Sequence, residues 1–516
     1  MASPPTPLAI FLLHLLLLSL PLHSQSLFHF SCLNTSDYNS CTSQHPNPTQ
    51  ILHLAARDAI NQALSSIHTI SNLSPLSTTL RERAALEDCK ELLDLSVHQI
   101  SQSLAEIEWL ENTQHEANLL SWLSAALSNQ DTCLEGFEKT DGRLMHYVRG
   151  GLNEVTQLVS NLLEMYKRLR SIVPRRNETE LEDDHGDDQL PSWMTEEEME
   201  MVSANEREML VDAVVAADGT GRFRTVGEAV EDAPSHSLRR YVIFVKRGVY
   251  KENVELKRKK SNIMLVGEGM GVTVITGSRN FMQGWTTFRT ATFAVSGQGF
   301  IARDITFRNT AGPQNRQAVA LRVDSDRSAF FRCSIEGFQD TLYAHSLRQF
   351  YRECHIHGTI DFIFGNGQAV FQNCKIFTRK PLPFQKATIT AQGRKDRSQN
   401  TGFSIHNSFV YATVPTYLGR PWKAFSRTVF MQSYLGSGVQ PAGWLEWAGD
   451  FALDTLFYGE YMNYGPGAGL GGRVRWGGYH VIRDAAVARY FTVRRFIDGA
   501  RWLPRANVPF TADLRK

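Results

Sequence analysis

A short strand-like segment recurs in the middle of this chain, and its spacing constrains the fold more than any other feature. The segment reads RDITF, RCSIE, ECHIH and NCKIF in turn. Its matching positions, Ile305, Cys333, Cys354 and Cys374, are 28, 21 and 20 residues apart. A repeat of roughly 20–25 residues with one apolar strand at a matching place is typical of stacked β-coils. The spacing therefore predicts a right-handed parallel β-helix.

The all-β character extends over residues 211–516, where short runs rich in Val, Ile, Phe and Thr alternate with Gly and Asn. The alternative fold for such a region is a sandwich of several sheets. A sandwich would show cleaner alternation of apolar and polar residues, with hairpin turns at intervals of about 8–12 residues. We expect residues 211–516 to form one β-helical domain.

Residues 26–173 have a different pattern, with apolar residues at i, i+3, i+4 and i+7 in four long stretches joined by short breaks. This pattern predicts an N-terminal all-α domain, an up-down four-helix bundle. The region contains four cysteines, which allow three pairings. Local pairing of Cys32 with Cys41 and of Cys89 with Cys133 is the simplest of them.

The first 25 residues contain an apolar run from Leu8 to Leu22 that is followed by small and polar residues. Such a run is short for a membrane span and is typical of a secretory signal peptide, with an uncleaved signal anchor as the alternative. We expect a secreted, extracellular protein that has no membrane span once the signal is removed. Export would make three sequons available for glycosylation, at Asn34, Asn72 and Asn177.

Residues 174–210 are rich in carboxylates and poor in large apolar residues, as in a solvated linker. Residues 1–210 as a whole hold 30 Asp and Glu against 13 Lys and Arg, whereas residues 211–516 hold 23 against 41. The basic second part suggests an anionic partner, which could be a polyanion, a membrane or nucleic acid, and the acidic first part could mask it. The alternative is two independently soluble domains.

Two aspartates follow the cysteine ladder in apolar surroundings. Asp340 is seven residues after Cys333, and Asp361 is seven residues after Cys354. If the cysteines stack on adjacent coils, the aspartates stack as well, about 4.8 Å apart along the backbone. Two neighbouring carboxylates divide their ionisation, which supplies an acid and a nucleophile in one site. Aspartyl protease, glycoside hydrolase and ester hydrolase chemistry all remain open on this ground.

The same stacking brings the cysteine Cα atoms of adjacent coils into disulfide range. Two of the three cysteines could therefore bridge while the third stays free. The spacing leaves the choice open, and we expect Cys354 and Cys374 to form the bridge.

Five ordered motifs in the second part, GVYKE, QAVAL, GFQDTLY, DFIFG and LGRPW, resemble those of the plant-type pectin methylesterases. The resemblance covers essentially all of residues 211–516. The helical region is similar, more loosely, to the pectin methylesterase inhibitor domain that precedes many of these enzymes. The matching features are the Cys32 and Cys41 couple and the segments ALEDCKELL and DTCLEGF.

The resemblance implies an esterase that acts on methylated homogalacturonan in the cell wall, without a metal or organic cofactor and without a nucleic-acid partner. Asp361 would be the nucleophile, Arg420 would keep it ionised and oriented, and Asp340 would be the general acid and base. Gln317 and Gln339 would stabilise the oxyanion. Substrate contacts are expected from Gln317 and Arg420 and from three further residues, Thr287, Tyr343 and Trp422.

Family members with such a pro-region usually carry a dibasic RRLL-like processing site before the catalytic domain. Here the corresponding residues, Arg207–Leu210, read REML, and the nearest dibasic pair is Arg175 and Arg176. Removal of the bundle at the usual place is therefore not expected, and the bundle could inhibit the enzyme within the same chain. The rival hypotheses are a pectin-cleaving lyase or glycosidase on the same fold, and a non-catalytic inhibitory protein.

Overall fold

The computed structural model describes residues 48–107, 113–172 and 210–515. The expected signal peptide, Cys32 with Cys41, and the sequons at Asn34 and Asn177 lie outside the described residues, as does the linker up to residue 209. Asn72 is exposed near the end of the first helix, and its glycosylation stays a prediction.

The described part of residues 48–172 forms four long helices, as the sequence predicts: α1 (Pro48–Leu73), α2 (Leu80–Ile107), α3 (Thr113–Glu135) and α4 (Arg143–Ile172). Their apolar stripes meet in one core, in which Leu92, Leu123 and Leu152 are fully buried. A disulfide joins Cys89 of α2 to Cys133 of α3 and confirms this predicted pair.

Residues 210–515 form a parallel β-helix with three sheets. The first sheet has eleven strands: β1 (Ala213–Val215), β2 (Tyr241–Val245), β5 (Ile263–Val266), β8 (Ile301–Arg303), β11 (Ser328–Phe331), β14 (Arg348–Arg352), β17 (Gln368–Gln372), β20 (Gly402–His406), β23 (Arg427–Met431), β25 (Phe457–Tyr461) and β26 (Tyr479–Val481).

The second sheet has eight strands: β3 (Gly248–Lys251), β6 (Thr273–Gly277), β9 (Thr306–Asn309), β12 (Ser334–Glu336), β15 (His355–Gly358), β18 (Lys375–Thr378), β21 (Phe409–Tyr411) and β24 (Tyr434–Leu435). The third sheet has seven: β4 (Val254–Leu256), β7 (Phe293–Val295), β10 (Leu321–Val323), β13 (Leu342–Ala344), β16 (Ile363–Gly365), β19 (Ala387–Gln392) and β22 (Thr416–Gly419).

The predicted ladder of matching positions is confirmed by the register of the second sheet. Ser334 pairs with Thr306 on one side and His355 on the other, and His355 pairs with Lys375. The ladder positions directly precede these residues and are fully buried. The residue directly before each ladder position has a positive φ between 50° and 60°, and this conformation turns the chain from the first sheet into the second. These residues are Asp304, Arg332, Glu353 and Asn373.

The predicted disulfide between Cys354 and Cys374 is wrong. Cys333, Cys354 and Cys374 are buried free thiols. The Cys354 thiol donates to the backbone carbonyl of Phe330 at 3.3 Å, and the Cys374 thiol donates to that of Tyr351 at 3.4 Å. The three cysteines lie in the turns directly before strands of the second sheet, and the thiols of Cys354 and Cys374 hydrogen-bond to carbonyls of the preceding coil instead of forming a bridge.

The bundle packs on the outer face of the third sheet. Its core is continuous with apolar side chains that project from this sheet and the adjoining turns, among them Phe288, Val319, Tyr343 and Phe364. The outer face of the first sheet is covered instead by three short C-terminal helices, α6 (Ala485–Arg489), α7 (Val493–Phe496) and α8 (Gly499–Trp502), whereas α5 (Val226–Asp232) lies near the N-terminal end of the β-helix.

Within residues 48–107, 113–172 and 210–515, no helix combines the length and the apolar character needed to cross a bilayer.

Candidate active site

Asp340 and Asp361 occupy equivalent turns between the second and third sheets. Each lies two residues before a strand of the third sheet, and the paired positions Leu342 and Ile363 show that the two turns stack in register. Both aspartates have a positive φ, of 61° and 49°. The backbone N–H of Asp340 donates to the carbonyl of Ile360, one residue before Asp361, at 3.1 Å. The stacking inferred from the cysteine spacing is therefore present.

The two carboxyl groups face a cavity of about 400 Å³ between the third sheet and the bundle. Every residue that the sequence singled out as catalytic or substrate-binding lines this cavity. These residues are Thr287, Gln317, Gln339, Asp340, Tyr343, Asp361, Arg420 and Trp422.

The carboxylate of Asp361 is held in place by three hydrogen bonds. Arg420, directly after β22, donates from Nε to Oδ1 at 2.8 Å and from Nη2 to Oδ2 at 2.5 Å. Such a two-pronged pair fixes both the charge and the plane of the carboxylate. The guanidinium is itself positioned by Trp447, whose ring centre lies 4.3 Å from its central carbon. A third hydrogen bond comes from Thr388 at 2.7 Å.

Asp340 is in a different electrostatic state, although its turn is equivalent. Burial raises the pKa of its carboxyl well above the usual range, and the negative charge of Asp361 raises it further. The charge of Arg420 acts in the opposite direction but is not sufficient to offset them. The raised pKa favours the protonated form of Asp340, whereas the Asp361 carboxylate beside it accepts hydrogen bonds from a cation, so the two carboxyl groups are in unlike environments.

Two glutamine side chains reach the same cavity. Gln317 lies just before β10, and Gln339 directly precedes Asp340. The side-chain oxygen of Gln317 is buried without a hydrogen-bond partner among the described residues. Buried polar atoms are usually paired, and exceptions concentrate where a ligand completes the site.

Aromatic rings form the walls of the cavity. Tyr343 stacks on Phe364 with 4.1 Å between ring centres, and Trp422 lies against the other side of Phe364 at 5.9 Å. The sequence did not single out Phe288, Phe364 or Trp447, because an isolated aromatic in a strand-rich region reads equally well as core. Trp447 lies outside the five motifs that carry the family resemblance.

The bundle closes the cavity from the other side. Thr132, Glu135, Gly136 and Glu138, at the end of α3 and just beyond it, belong to its lining. Glu135 pairs with Lys423 at 2.7 Å. The hydroxyl of Thr132 lies 2.9 Å from Nε2 of His345, behind Tyr343. Residues of the bundle were not predicted here, because no sequence pattern reports which face of a bundle meets another domain.

Charge pairs surround this contact. Among the described residues, six ion pairs join carboxylates of the bundle to cations of the β-helix: Asp88–Arg289, Glu91–Arg289, Glu91–Arg322, Asp94–Arg258, Asp131–Lys395 and Glu135–Lys423. Asp88 is the most buried carboxylate of this set, and its burial raises its pKa to about 6, although the charge of Arg289 lowers it. The acidic and basic halves of the sequence meet at this interface.

A carboxylate pair and an arginine in an aromatic-walled cleft on a parallel β-helix are typical of a hydrolase, and comparison with known proteins shows which family of hydrolases the chain belongs to. The model of the Pectinesterase family matches residues 212–500, and that of the Plant invertase/pectin methylesterase inhibitor family matches residues 26–165.

Individual proteins agree with these matches. A relative from Arabidopsis thaliana, provisionally named pectinesterase/pectinesterase inhibitor 22, is 58% identical over 91% of this chain and 88% of its own. The pectinesterase/pectinesterase inhibitor PPE8B of Prunus persica is 49% identical over 92% and 93%. The solved pectin methylesterase from carrot is 53% identical, covers 59% of this chain and 99% of its own, and superimposes with a TM-score of 0.59.

The chain belongs to the pectinesterase family of carboxylic ester hydrolases, and an inhibitor-family domain precedes its catalytic domain.

Proposed function

We propose that the chain hydrolyses the methyl esters of homogalacturonan, with Asp361 as the nucleophile and Asp340 as the acid and base. The observation that carries this proposal is the division of charge in the pair. Asp361 accepts three hydrogen bonds from Arg420 and Thr388, while burial raises the pKa of Asp340 and favours its protonated form. One site thus holds an anion that can attack and a proton that can be donated.

In the first half of the reaction, a carboxylate oxygen of Asp361 attacks the C6 carbonyl carbon of a methylated galacturonate. The carbonyl electron pair moves onto its oxygen, and a tetrahedral intermediate forms. The amide groups of Gln317 and Gln339 donate to this oxygen, and preorganised donors of this kind contribute about 3 kcal/mol each. The intermediate collapses with cleavage of the bond to the methoxy oxygen, which takes the proton of Asp340 and leaves as methanol.

In the second half, water attacks the C6 carbonyl of the acyl-enzyme. Asp340, which is now ionised, takes a proton from this water. Cleavage of the acyl bond to Asp361 releases a free galacturonate and regenerates the carboxylate. Each group returns to its starting protonation state, so the cycle needs no metal and no organic cofactor.

The polysaccharide is held by the aromatic walls and the basic surface. Trp422, Trp447 and Tyr343 offer apolar ring surface to sugar rings, and Thr287 adds a polar contact. The product is polyanionic, and the excess of 41 Lys and Arg over 23 Asp and Glu in residues 211–516 favours retention on it.

The bundle acts as an inhibitor within the same chain. It covers the cleft, contributes Glu135 and Glu138 to the cavity, and is held there by the six ion pairs. The linker of 37 residues between α4 and residue 210 keeps the bundle at high local concentration. A galacturonan chain cannot lie along the third sheet while the bundle is docked.

The apolar N-terminal run and the three sequons fit a secreted glycoprotein of the cell wall. The inhibitor bundle then keeps the enzyme inactive on the secretory route. Activation requires either release of the intact bundle from the cleft or a cut in the chain at a site other than the standard dibasic motif.

Methanol release from highly methylated pectin tests the proposed reaction. The chain is secreted with a protease site inserted between residues 173 and 209 and is assayed after cutting. We expect methanol without new reducing ends and without unsaturated products, which separates esterase from glycosidase and lyase action. Asp361→Asn should remove activity, because an amide is not a nucleophile. More than a few per cent of wild-type activity in this variant would contradict the assignment.

A further inference from the structure

Thr388 lies directly behind the nucleophile, outside the cavity. It is in β19, one coil beyond Asp361, and its side chain is fully buried. Its backbone N–H donates to the carbonyl of Thr359 at 3.1 Å. Because Thr388 is not part of the cavity lining, it cannot contact a bound sugar. Any influence on the reaction must pass through Asp361.

The Thr388 hydroxyl makes two hydrogen bonds, and both are to Asp361. It accepts from the backbone N–H of Asp361 at 2.9 Å and donates to Oδ1 at 2.7 Å. A hydroxyl has one proton to donate, so its donor capacity is used entirely on this carboxylate. The contact joins the backbone of Asp361 to its own side chain, at a residue whose φ of 49° is unfavourable for a non-glycine residue.

This contact makes the two carboxylate oxygens unequal. Oδ1 accepts from Thr388 and from Nε of Arg420, whereas Oδ2 accepts from Nη2 of Arg420 alone. Each hydrogen bond withdraws electron density from the oxygen that accepts it and occupies one of its lone-pair directions. Oδ2 therefore keeps the more available lone pair.

We infer that Thr388 is a positioning residue that fixes the Asp361 carboxylate and leaves Oδ2 as the atom that attacks the ester. The inference rests on the proposed role of Asp361 as the nucleophile. In the step concerned, the Oδ2 lone pair forms the new bond to the ester carbon, and the carbonyl electron pair moves onto the carbonyl oxygen. Thr388 keeps its proton throughout.

The experiment compares Thr388→Val, which removes the hydroxyl at nearly constant shape, with Thr388→Ser, which keeps it. Both are assayed in the linker-cut chain after removal of the bundle, and thermal melting checks the fold. For Thr388→Val we expect kcat to fall roughly 100-fold with little change in KM, as for a misplaced reacting group. The acid limb of its pH–rate profile should move to higher pH, because the ionised carboxylate has lost a donor. Thr388→Ser should stay near wild type in both measurements.

Wild-type kcat and an unchanged pH profile in Thr388→Val would overturn the inference, and so would equal losses in the Val and Ser variants. If Thr388→Val is not secreted, Thr388→Cys replaces it, because a thiol is a weaker donor and should give an intermediate shift. Wild-type behaviour of that variant would also overturn the inference. The Asp361→Asn variant distinguishes failure of the proposed function from failure of this inference. Activity in Asp361→Asn would show that Asp361 is not the nucleophile. An inactive Asp361→Asn together with an unaffected Thr388→Val would contradict only the role of Thr388.

Discussion

Glu135 of the bundle, which lines the cavity of the aspartate pair, forms an ion pair with Lys423 of the β-helix at 2.7 Å. Lys423 directly follows Trp422, whose ring it overlies at 5.2 Å. The carboxylate of the bundle therefore occupies space beside a ring that we propose as a sugar contact. On the proposed function, the docked bundle and the substrate would compete for this position.

Replacing Glu135 by Gln should weaken docking and raise the activity of the uncut chain. The substitution keeps the shape but removes the charge opposite Lys423, and the lysine stays in a largely enclosed site. Removing one partner of a buried ion pair typically costs more free energy than the intact pair contributes, because the other charge is left unpaired. We expect a severalfold increase in methanol release at low salt. Glu154→Gln, an exposed glutamate on α4, is the matched control and should have no effect.

Docking should weaken as the pH rises. Burial raises the pKa of Asp88 to about 6 in the docked state, above its usual value of 3.8. A carboxyl with a raised pKa binds its proton more tightly in the docked state. The contribution of Asp88 to the free energy of docking is therefore fully present below about pH 4 and is lost as the pH rises through about 6.

Size-exclusion chromatography of the linker-cut chain measures this directly, since it reports whether the bundle stays bound. We expect co-elution at pH 5 and partial dissociation at pH 7.5. Asp88→Asn should reduce the dependence on pH, because the neutral amide does not titrate. A bundle that binds equally at both values, or more tightly at pH 7.5, is incompatible with this account.

Salt should partly mimic the cut, because the charge pairs at the rim of the interface are accessible to ions. Arg258 and Asp94 are the most exposed pair of the set, and screening acts mainly on such pairs. We expect the uncut chain to gain activity between about 0.05 and 0.5 M NaCl, relative to the cut chain under the same conditions. An identical ratio at both concentrations would show that the exposed charge pairs do not contribute to docking.

Arg420 should be essential for the charge and orientation of the Asp361 carboxylate, but not for folding. Arg420→Ala removes both donors to the carboxylate, so the ionised form becomes less favourable and the acid limb of the pH–rate profile should move to higher pH. The rate should fall roughly 100-fold or more. Arg420→Lys keeps the positive charge but loses the two-pronged hydrogen bond. Its activity should lie between those of the wild type and Arg420→Ala. Normal activity with an unchanged profile in Arg420→Ala would contradict the role given to this residue.

The three free cysteines give a test of the fold that does not involve activity. Alkylation of the native chain should leave Cys333, Cys354 and Cys374 unlabelled because they are buried, and alkylation after unfolding without reductant should label all three. Peptide mapping of the two samples by mass spectrometry distinguishes the outcomes. Detection of a peptide pair bridged between Cys354 and Cys374 would restore the disulfide that the sequence predicted.

The sequence was sufficient for the β-helix because its coils repeat along the chain, so that one register determines many contacts. The positions of Cys333 and Cys354 predicted the stacking of Asp340 and Asp361 in this way. The same reasoning failed for the disulfide. Stacking places cysteine backbones close together, but it does not determine whether the thiols turn toward each other or toward a carbonyl.

Residues that act across the fold were beyond the reach of sequence patterns. Thr388 is 27 residues from Asp361 and sits in an ordinary apolar strand, ATITAQ. Glu135 is 288 residues from Lys423. The charge asymmetry of the two halves suggested that they attract each other, but only the docked helices show which carboxylates meet which cations.

The most direct test of the account compares one protein before and after a single cut. The full chain, with a protease site placed between residues 173 and 209, is assayed for methanol release from methylated pectin at pH 5 and low salt. We predict low activity in the intact chain and a large increase after cutting and removal of the bundle, with no increase in Asp361→Asn. Full activity in the intact chain would show that the docked bundle does not block the site.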